Sequence, residues 1–158
     1  MINFGEHNEA ECRQRWPELL AIVEAKVKPE RISKDAKKYP RMVYEWWKFW
    51  NLRSELQTAI APLERVLAIA AISTIFAPTF LPRGMVYSHK LIVFPFETHA
   101  AFCALQARPH EFWARFFGSS MKDDLNYSST DCFETFPFPI GWATHPALEA
   151  AGEAYYAY

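Results

Sequence analysis

Apolar residues recur at helical spacing in the first third of the chain. Trp16 precedes Pro17, which favours the first position of a helix, and leucine, isoleucine and valine then follow three and four residues apart. Pro29 is expected to end or kink this helix near Lys28, because proline cannot donate the next backbone hydrogen bond. The polar run 30–40 is then expected to be a connector.

Two further helices are expected in the second half of the chain. The run 98–117 has an amphipathic pattern, with Thr98 as candidate N-cap and Gly118 as candidate stop, and Pro109 is expected to kink or split it. Near the end, Thr144 or His145 before Pro146 predicts another helix start.

Between these helical segments the pattern changes to that of strands. The run "RVLAIAAISTIF" from Arg65 is apolar and rich in branched residues, which favours a buried strand, although its alanines also permit a helix. Turn residues at 82–84 and 88–90 divide the next apolar run and predict a meander. The sequence therefore predicts an α+β fold in which a small, mainly antiparallel sheet over about 65–96 is flanked by helices.

Two aromatic-rich segments do not fit simple core patterns. Trp46, Trp47, Phe49 and Trp50 cannot all face one side of a helix, since consecutive residues diverge by about 100°. We therefore expect some of them to be exposed or docked on another surface. The segment "YSSTDCFETFPFP", 127–139, is predicted to be an extended stretch whose phenylalanines pack on a preformed body while its prolines keep it out of a sheet.

Composition and charge exclude several classes of protein. The chain has 158 residues, of which 51% are hydrophobic, so disorder is not expected. No window has the length of apolar residues that a membrane span requires, and we expect a cytoplasmic protein with three reduced cysteines. The net charge is −1, but 13–53 holds eleven Lys and Arg against five Asp and Glu. This surplus fits a region that faces phosphate and equally a solvated helix face rich in lysine.

Catalytic and cofactor motifs are missing from the sequence. It contains neither GxGxxG nor GxxxxGK[ST], and its histidines and cysteines have no metal-ligand spacing. The adjacent pair Asp123 and Asp124 is better explained as solvated carboxylates than as a cation site. We therefore predict no catalytic residue and no metal site.

The segment "GSSMKDDLNY", 118–127, offers hydrogen-bonding groups instead. Serine and lysine suit phosphates, aspartate accepts from cytosine, and asparagine can pair with adenine. A solvated loop has the same composition, so this observation leaves both interpretations open.

A family resemblance covers nearly the whole chain, from about Trp16 to Tyr156. The segments "LLAIVEAKVKPER", "WWKF", "LERVLAIAAIST", "FLPRGMVYSHKLIVF", "HEFWARFFGSSMKDDLNYSSTDCFETFPFP" and "THPALEAAGEAYY" resemble the C-terminal portion of large DNA adenine-N6 methyltransferases. These are bacterial type II restriction-modification enzymes, of the IIG and IIL kind, in which methylation and sequence recognition share one polypeptide; related methylases occur in phage-defence islands.

The resemblance implies a target-recognition domain without its enzyme. The family's catalytic part binds S-adenosylmethionine through a glycine-containing loop and holds the flipped adenine with an Asn-Pro-Pro-Tyr motif, and neither occurs here. The implied modules are a connecting helix and basic linker (1–40), a recognition domain (41–139) and the start of a helical region (140–158). The implied partners are double-stranded DNA and a methyltransferase catalytic domain or subunit.

The chain also departs from the family pattern. Thr74 stands where the family commonly has lysine, and Asn126 stands where it commonly has arginine before the tyrosine. Each missing cation removes a phosphate or guanine contact, so the departures imply weak DNA binding by the isolated chain.

Three hypotheses follow. The first is a DNA-recognition domain in which one concave face carries the predicted DNA-binding residues, namely Ser73, Arg83, Lys90, Ser119, Lys122, Asp124, Asn126 and Ser128, with Arg53 and the lysines of 34–38 as further phosphate contacts. The second is a protein-interaction module that docks on a methylase or forms a homodimer through Trp46, Trp47 and Trp50. The third, an independent enzyme, is the least favoured.

Overall fold

The computed structural model of the protein describes residues 2–51, 53–121 and 124–158. The chain divides into two compact units, one ending at Ser54 and the other beginning at Glu55. The module limits implied by the family resemblance, 1–40, 41–139 and 140–158, stay a prediction. Among the helices of the described ranges, none is both long and apolar enough to span a membrane.

Short helices build the first unit. They are α1 (Glu9–Arg15), α2 (Pro17–Lys26), α3 (Lys28–Ile32) and α4 (Pro40–Tyr44). The predicted start at Pro17 is confirmed, and α2 ends before Pro29. The expected connector begins later than predicted, because Pro29 lies in the first turn of α3, a position that proline tolerates well.

The core of the first unit brings sequence-distant aromatic and aliphatic residues together. Its buried members are Phe4, Cys12, Leu20, Val23 and Trp46. Arg31 donates from Nη1 to the backbone carbonyls of Trp46 and Lys48, and the Lys48 ammonium lies 2.8 Å from Glu45. These contacts fix the aromatic segment on the helices.

The second unit begins with α5 (Ser54–Ile60) and a three-stranded antiparallel sheet. The strands are β1 (Arg65–Ala70), β3 (Thr79–Pro82) and β4 (Leu91–Phe94), in the order β3-β1-β4. The predicted α+β fold and antiparallel sheet are confirmed. The predicted meander is wrong, since β1 pairs with both other strands. The four central residues of β1 are buried. Because β1 lies between β3 and β4, its backbone pairs with a strand on each side.

A second three-stranded sheet was not expected from the sequence. It consists of β2 (Ile72–Ser73), β5 (Ser119–Met121) and β6 (Asp124–Asn126), in the order β2-β6-β5. Ala71 joins the two sheets, because its N–H donates to the carbonyl of Lys90 at 2.8 Å and its carbonyl accepts from the N–H of Tyr127 at 2.7 Å. Within the segment 118–127, the residues of β5 and β6 are therefore strand and not loop.

Helices cover the first sheet and complete the unit. They are α6 (His99–Gln106), α7 (Arg108–Phe117) and α8 (Pro146–Tyr156). Thr98 caps α6, accepting from the N–H of Ala101 at 3.2 Å, and the predicted split near Pro109 falls at Ala107. The helix start at Pro146 is confirmed, with His145 as its cap.

The segment 127–139 differs in part from the prediction. Ser129–Phe133 forms a short π-helix rather than an extended stretch, because the Ser128 side chain caps it and its own residue Cys132 is buried. The expected packing of the phenylalanines is confirmed for Phe133 and Phe138, which lie against the hydrophobic core of the second unit. Phe138 also stacks on Trp142, with ring centroids 4.1 Å apart.

Candidate recognition surface

The second sheet has one face toward the core and one toward solvent. Opposite residues of an antiparallel pair point to the same face, and successive residues alternate. Ser73 lies opposite Leu125, which is buried, so this row faces the core. Asn126 lies opposite Ile72 on one side and Ser119 on the other, and this row faces outward. Asp124 shares the outward face, which we call the outer face of the second sheet.

The close approach of α7 and β6 depends on a glycine. A Cβ at Gly118 would lie 2.5 Å from the carbonyl oxygen of Ala114 and 2.9 Å from Cδ1 of Leu125. Any larger residue would push the strand away from the helix. Gly118 therefore serves more than the predicted helix stop, because it lets Ser119 pair with Asn126 directly after α7.

A hydrogen bond orients the amide on the outer face. Asn126 Nδ2 donates to Ser119 Oγ at 2.9 Å. The amide nitrogen has two N–H bonds and this contact uses one of them. The carbonyl oxygen and the second N–H of Asn126 thus form an acceptor-donor pair of fixed orientation. Such a pair is suited to the N6 and N7 edge of adenine.

The structure does not bring all the predicted DNA-binding residues together. Lys90 lies at the junction of the two sheets, beside Ala71. Arg83 lies beside Glu64 at the other end of β1, seven residues further along the strand, which corresponds to roughly 23 Å. Its guanidinium donates to the carbonyl of Ala61. The expected single concave face therefore does not include Arg83.

Two predicted serines are engaged locally. Ser73 lies on the core-facing row, and its hydroxyl accepts from the N–H of Ile75 at 3.1 Å. Ser128 follows Tyr127 and caps the π-helix, with its hydroxyl 2.7 Å from that of Thr130 and 3.4 Å from the N–H of Asp131. Ser119, Asp124 and Asn126 are the predicted residues that share the outer face.

One predicted DNA-binding residue, Lys122, lies outside the residues that the structure describes, as does Asp123. Within the described ranges, no three His, Cys, Asp or Glu side chains come together as a metal-ion group. The binding roles of all the predicted residues stay predictions.

The three predicted docking tryptophans differ in exposure. Trp46 is in the core of the first unit, and Trp47 is half-buried with its indole N–H donating to the carbonyl of His7 at 3.0 Å. Trp50 is 45% exposed and lies edge-on to Tyr39 at 6.0 Å. Trp50 is thus the member of the three that presents an accessible aromatic surface.

A buried polar pair beneath the second sheet was missed by sequence reasoning. His110 is completely buried and its Nδ1 lies 2.9 Å from the carbonyl of Leu105, while Nε2 lies 3.2 Å from the hydroxyl of Tyr127. Burial lowers the pKa of His110 and raises that of Tyr127. The only signal of His110 in the sequence is the adjacent Glu111, and such a dipeptide on a helix does not mark a buried polar pair.

Comparisons with known proteins give the following. A family model described as MmeI, target recognition domain, matches residues 5–140. The chain also resembles a solved structure of the type IIL restriction-modification enzyme MmeI in complex with DNA, with a TM-score of 0.73 and 21% identity. This alignment covers 98% of the present chain but 20% of the other, so the present chain spans about a fifth of that protein's length. No curated protein matches the chain in sequence.

Proposed function

The chain belongs to the MmeI target recognition domain family, and from this premise we propose that it reads the sequence of double-stranded DNA for a restriction-modification enzyme of type IIL. The matched solved protein was determined in complex with DNA, and nearly all of this chain shares its fold. The observation that carries the proposal is the outer face of the second sheet, where Ser119 orients the Asn126 amide.

The residues of the outer face have complementary chemistry for base edges. Asn126 pairs with an adenine through its acceptor and its remaining donor, and the Asp124 carboxylate accepts from the exocyclic amine of a cytosine. Asp124 is two residues before Asn126 on the same strand, so their side chains emerge on one face about 7 Å apart along β6. This separation spans about two base-pair steps of the duplex.

Phosphate contacts flank these base-reading groups. Lys90 is exposed next to the junction of the two sheets, and Ser128, two residues after β6, caps the short π-helix. For Lys122 we propose phosphate binding from its residue type and its place in the segment 118–127. Each phosphate contact fixes the position of the protein on the duplex without carrying sequence information.

The chemistry of methylation belongs to another part of the enzyme. A target recognition domain is a non-catalytic region, and the 158 residues contain neither a glycine-containing S-adenosylmethionine loop nor Asn-Pro-Pro-Tyr. We propose that a methyltransferase domain or subunit supplies both, and that the present chain positions its duplex for the adenine to be flipped out. The bacterial cytoplasm, where the DNA is, would be its place of action.

A second candidate function is docking on the methyltransferase. Trp50 and Tyr44 are exposed on the first unit, and large exposed aromatic residues favour protein contacts. Light scattering of the chain alone would detect a homodimer, and co-elution with a methyltransferase would detect docking. A monomer with no affinity for a methyltransferase would exclude this candidate.

Selection from a random duplex library tests the proposed function. The chain, alone and together with a methyltransferase lacking its own recognition region, is incubated with the library at low salt, and bound duplexes are sequenced. Enrichment of one short sequence is expected, with stronger binding when the methyltransferase is present. Binding without sequence preference, or no binding under either condition, would contradict the proposal.

A further inference from the structure

Ile72 occupies an unusual position on the outer face of the second sheet. It lies directly opposite Asn126 in the antiparallel pairing of β2 and β6, and its side chain is 61% exposed. The row therefore runs Ile72, Asn126, Ser119 across three strands. A branched aliphatic group stands beside an oriented amide and a hydroxyl, all on the face turned away from the core.

The fold itself does not require an apolar residue at this position. The core-facing row of the sheet contains Leu125, which is buried, and the alternation of side chains along β2 turns Ser73 toward that row and Ile72 away from it. A polar residue would satisfy the same backbone pairing. Ile72 stands on the edge strand of this face, beside the oriented amide of Asn126, where its exposed side chain is free to contact a partner of the same face.

One pair of strands of the second sheet matches the major groove in size. The groove, about 12 Å wide, admits a two-stranded β-ribbon, and β2 and β6 form such a pair with a strand spacing of about 4.8 Å. Opposite residues have Cβ atoms about 5 Å apart. Ile72 and Asn126 thus reach neighbouring points on the base edges in the same groove.

We propose that Ile72 contacts the 5-methyl group of a thymine beside the adenine that Asn126 reads. This inference rests on the proposed function and names a further specificity-determining residue within it. The thymine methyl is the apolar group that the major groove displays, and it distinguishes thymine from cytosine and from the other bases. Asn126 selects by hydrogen bonding, and Ile72 selects by burying the methyl group that lies next to it.

Replacing thymine by uracil tests this contact, because the exchange deletes only the methyl group. The preferred duplex is first selected from a random library with the 158-residue chain at low salt. Each dT is then replaced singly by dU, and the dissociation constants of the wild type and of Ile72→Ala are measured. Ile140→Ala is the matched control, because Ile140 is fully exposed and follows the segment 127–139, outside the sheet.

One dT position is expected to carry the signal. Its replacement by dU should weaken binding of the wild type and of Ile140→Ala about threefold to fourfold, the effect of one buried methyl group. Ile72→Ala should bind the dT duplex correspondingly more weakly and should not distinguish dT from dU. Equal dU sensitivity in Ile72→Ala and the wild type, or no sensitive position, would overturn the inference while leaving sequence-specific binding intact. Absence of any preferred duplex, both for the chain alone and together with the methyltransferase, would instead refute the proposed function.

Discussion

The hydroxyl of Tyr127 lies 3.2 Å from Nε2 of His110, and both side chains are buried beneath the second sheet. Nδ1 of His110 is 2.9 Å from the carbonyl of Leu105 and must donate to it. Nε2 is then the acceptor, and Tyr127 donates to it, a tautomer assigned from these partners. Since Tyr127 follows Asn126 directly, this hydrogen bond ties the end of β6 to α7.

Removing the Tyr127 hydroxyl is expected to destabilise the protein. In Tyr127→Phe, Nε2 of His110 remains buried without its donor, which costs about 1–3 kcal/mol. Urea unfolding measures the change. Tyr155→Phe is the control, because Tyr155 is exposed and the same deletion there should have little effect. Equal stabilities of the two variants would argue against an anchoring bond.

The same pair predicts a pH dependence of stability. Burial lowers the pKa of His110 below the ordinary value of 6.5. The unfolded chain then binds this proton more tightly than the folded chain, so the free energy of unfolding should fall as pH drops below about 6.5. It should level off below the folded-state pKa, apart from carboxylates that titrate at lower pH. Urea unfolding at a series of pH values measures this slope.

NMR titration of the His110 imidazole checks this pH dependence directly. Burial lowers the pKa of His110, so its imidazole should stay neutral in the folded protein as the pH falls to 6.5 and just below. Protonation of His110 near pH 6.5 in the folded protein would contradict the buried, neutral assignment.

Gly152 is expected to be essential for the packing of α8 on α6. A Cβ at Gly152 would lie 2.1 Å from the carbonyl oxygen of His99 and 2.8 Å from its carbon. Gly152→Ala should therefore displace α8 and lower stability by about 1–3 kcal/mol, as overpacking typically does. Gly84→Ala is the matched control, since its Cβ would meet nothing within 4 Å. A melting temperature of Gly152→Ala equal to that of the control would show that α8 is not held this closely.

The positions of two cations predict different effects on DNA binding. Lys90 lies at the junction of the two sheets, whereas Arg83 lies at the far end of β1. Lys90→Ala should weaken binding to every duplex and lower the slope of log affinity against log salt by about 0.9, the effect of one phosphate contact. Arg83→Ala should leave that slope unchanged. Salt titrations by fluorescence anisotropy measure both, and a larger loss for Arg83→Ala would place the interface at the other end of the sheet.

The sequence predicted those parts of the fold that depend on local chemistry. Pro17, Thr98 and Pro146 mark helix starts correctly, because caps and N-terminal prolines act within one turn. Strand pairing is non-local, so the continuous apolar run of β1 indicates its burial but not its place between β3 and β4. The apolar run from Arg65 indicated a strand but not its neighbours.

The recognition surface was predictable in its residue types but not in its arrangement. The segment 118–127 supplies donors and acceptors of the outer face, yet three-residue strands are too short to show a periodicity. The sequence does not indicate that Ile72 lies at the surface, because this residue continues an apolar run. Only the register that places it opposite Asn126 reveals its exposure. Arg83 and Lys90, seven residues apart in sequence, proved to lie at opposite ends of β1.

The role of Asn126 in reading a base is tested most directly by a base-pair substitution series. The duplex selected from the library is altered one base pair at a time, and each affinity is measured for the wild type and for Asn126→Ala. The wild type should lose about 1–3 kcal/mol at one A·T pair, and Asn126→Ala should lose that discrimination at this pair alone while keeping it elsewhere. An equal loss of affinity on every duplex would contradict base reading by the outer face.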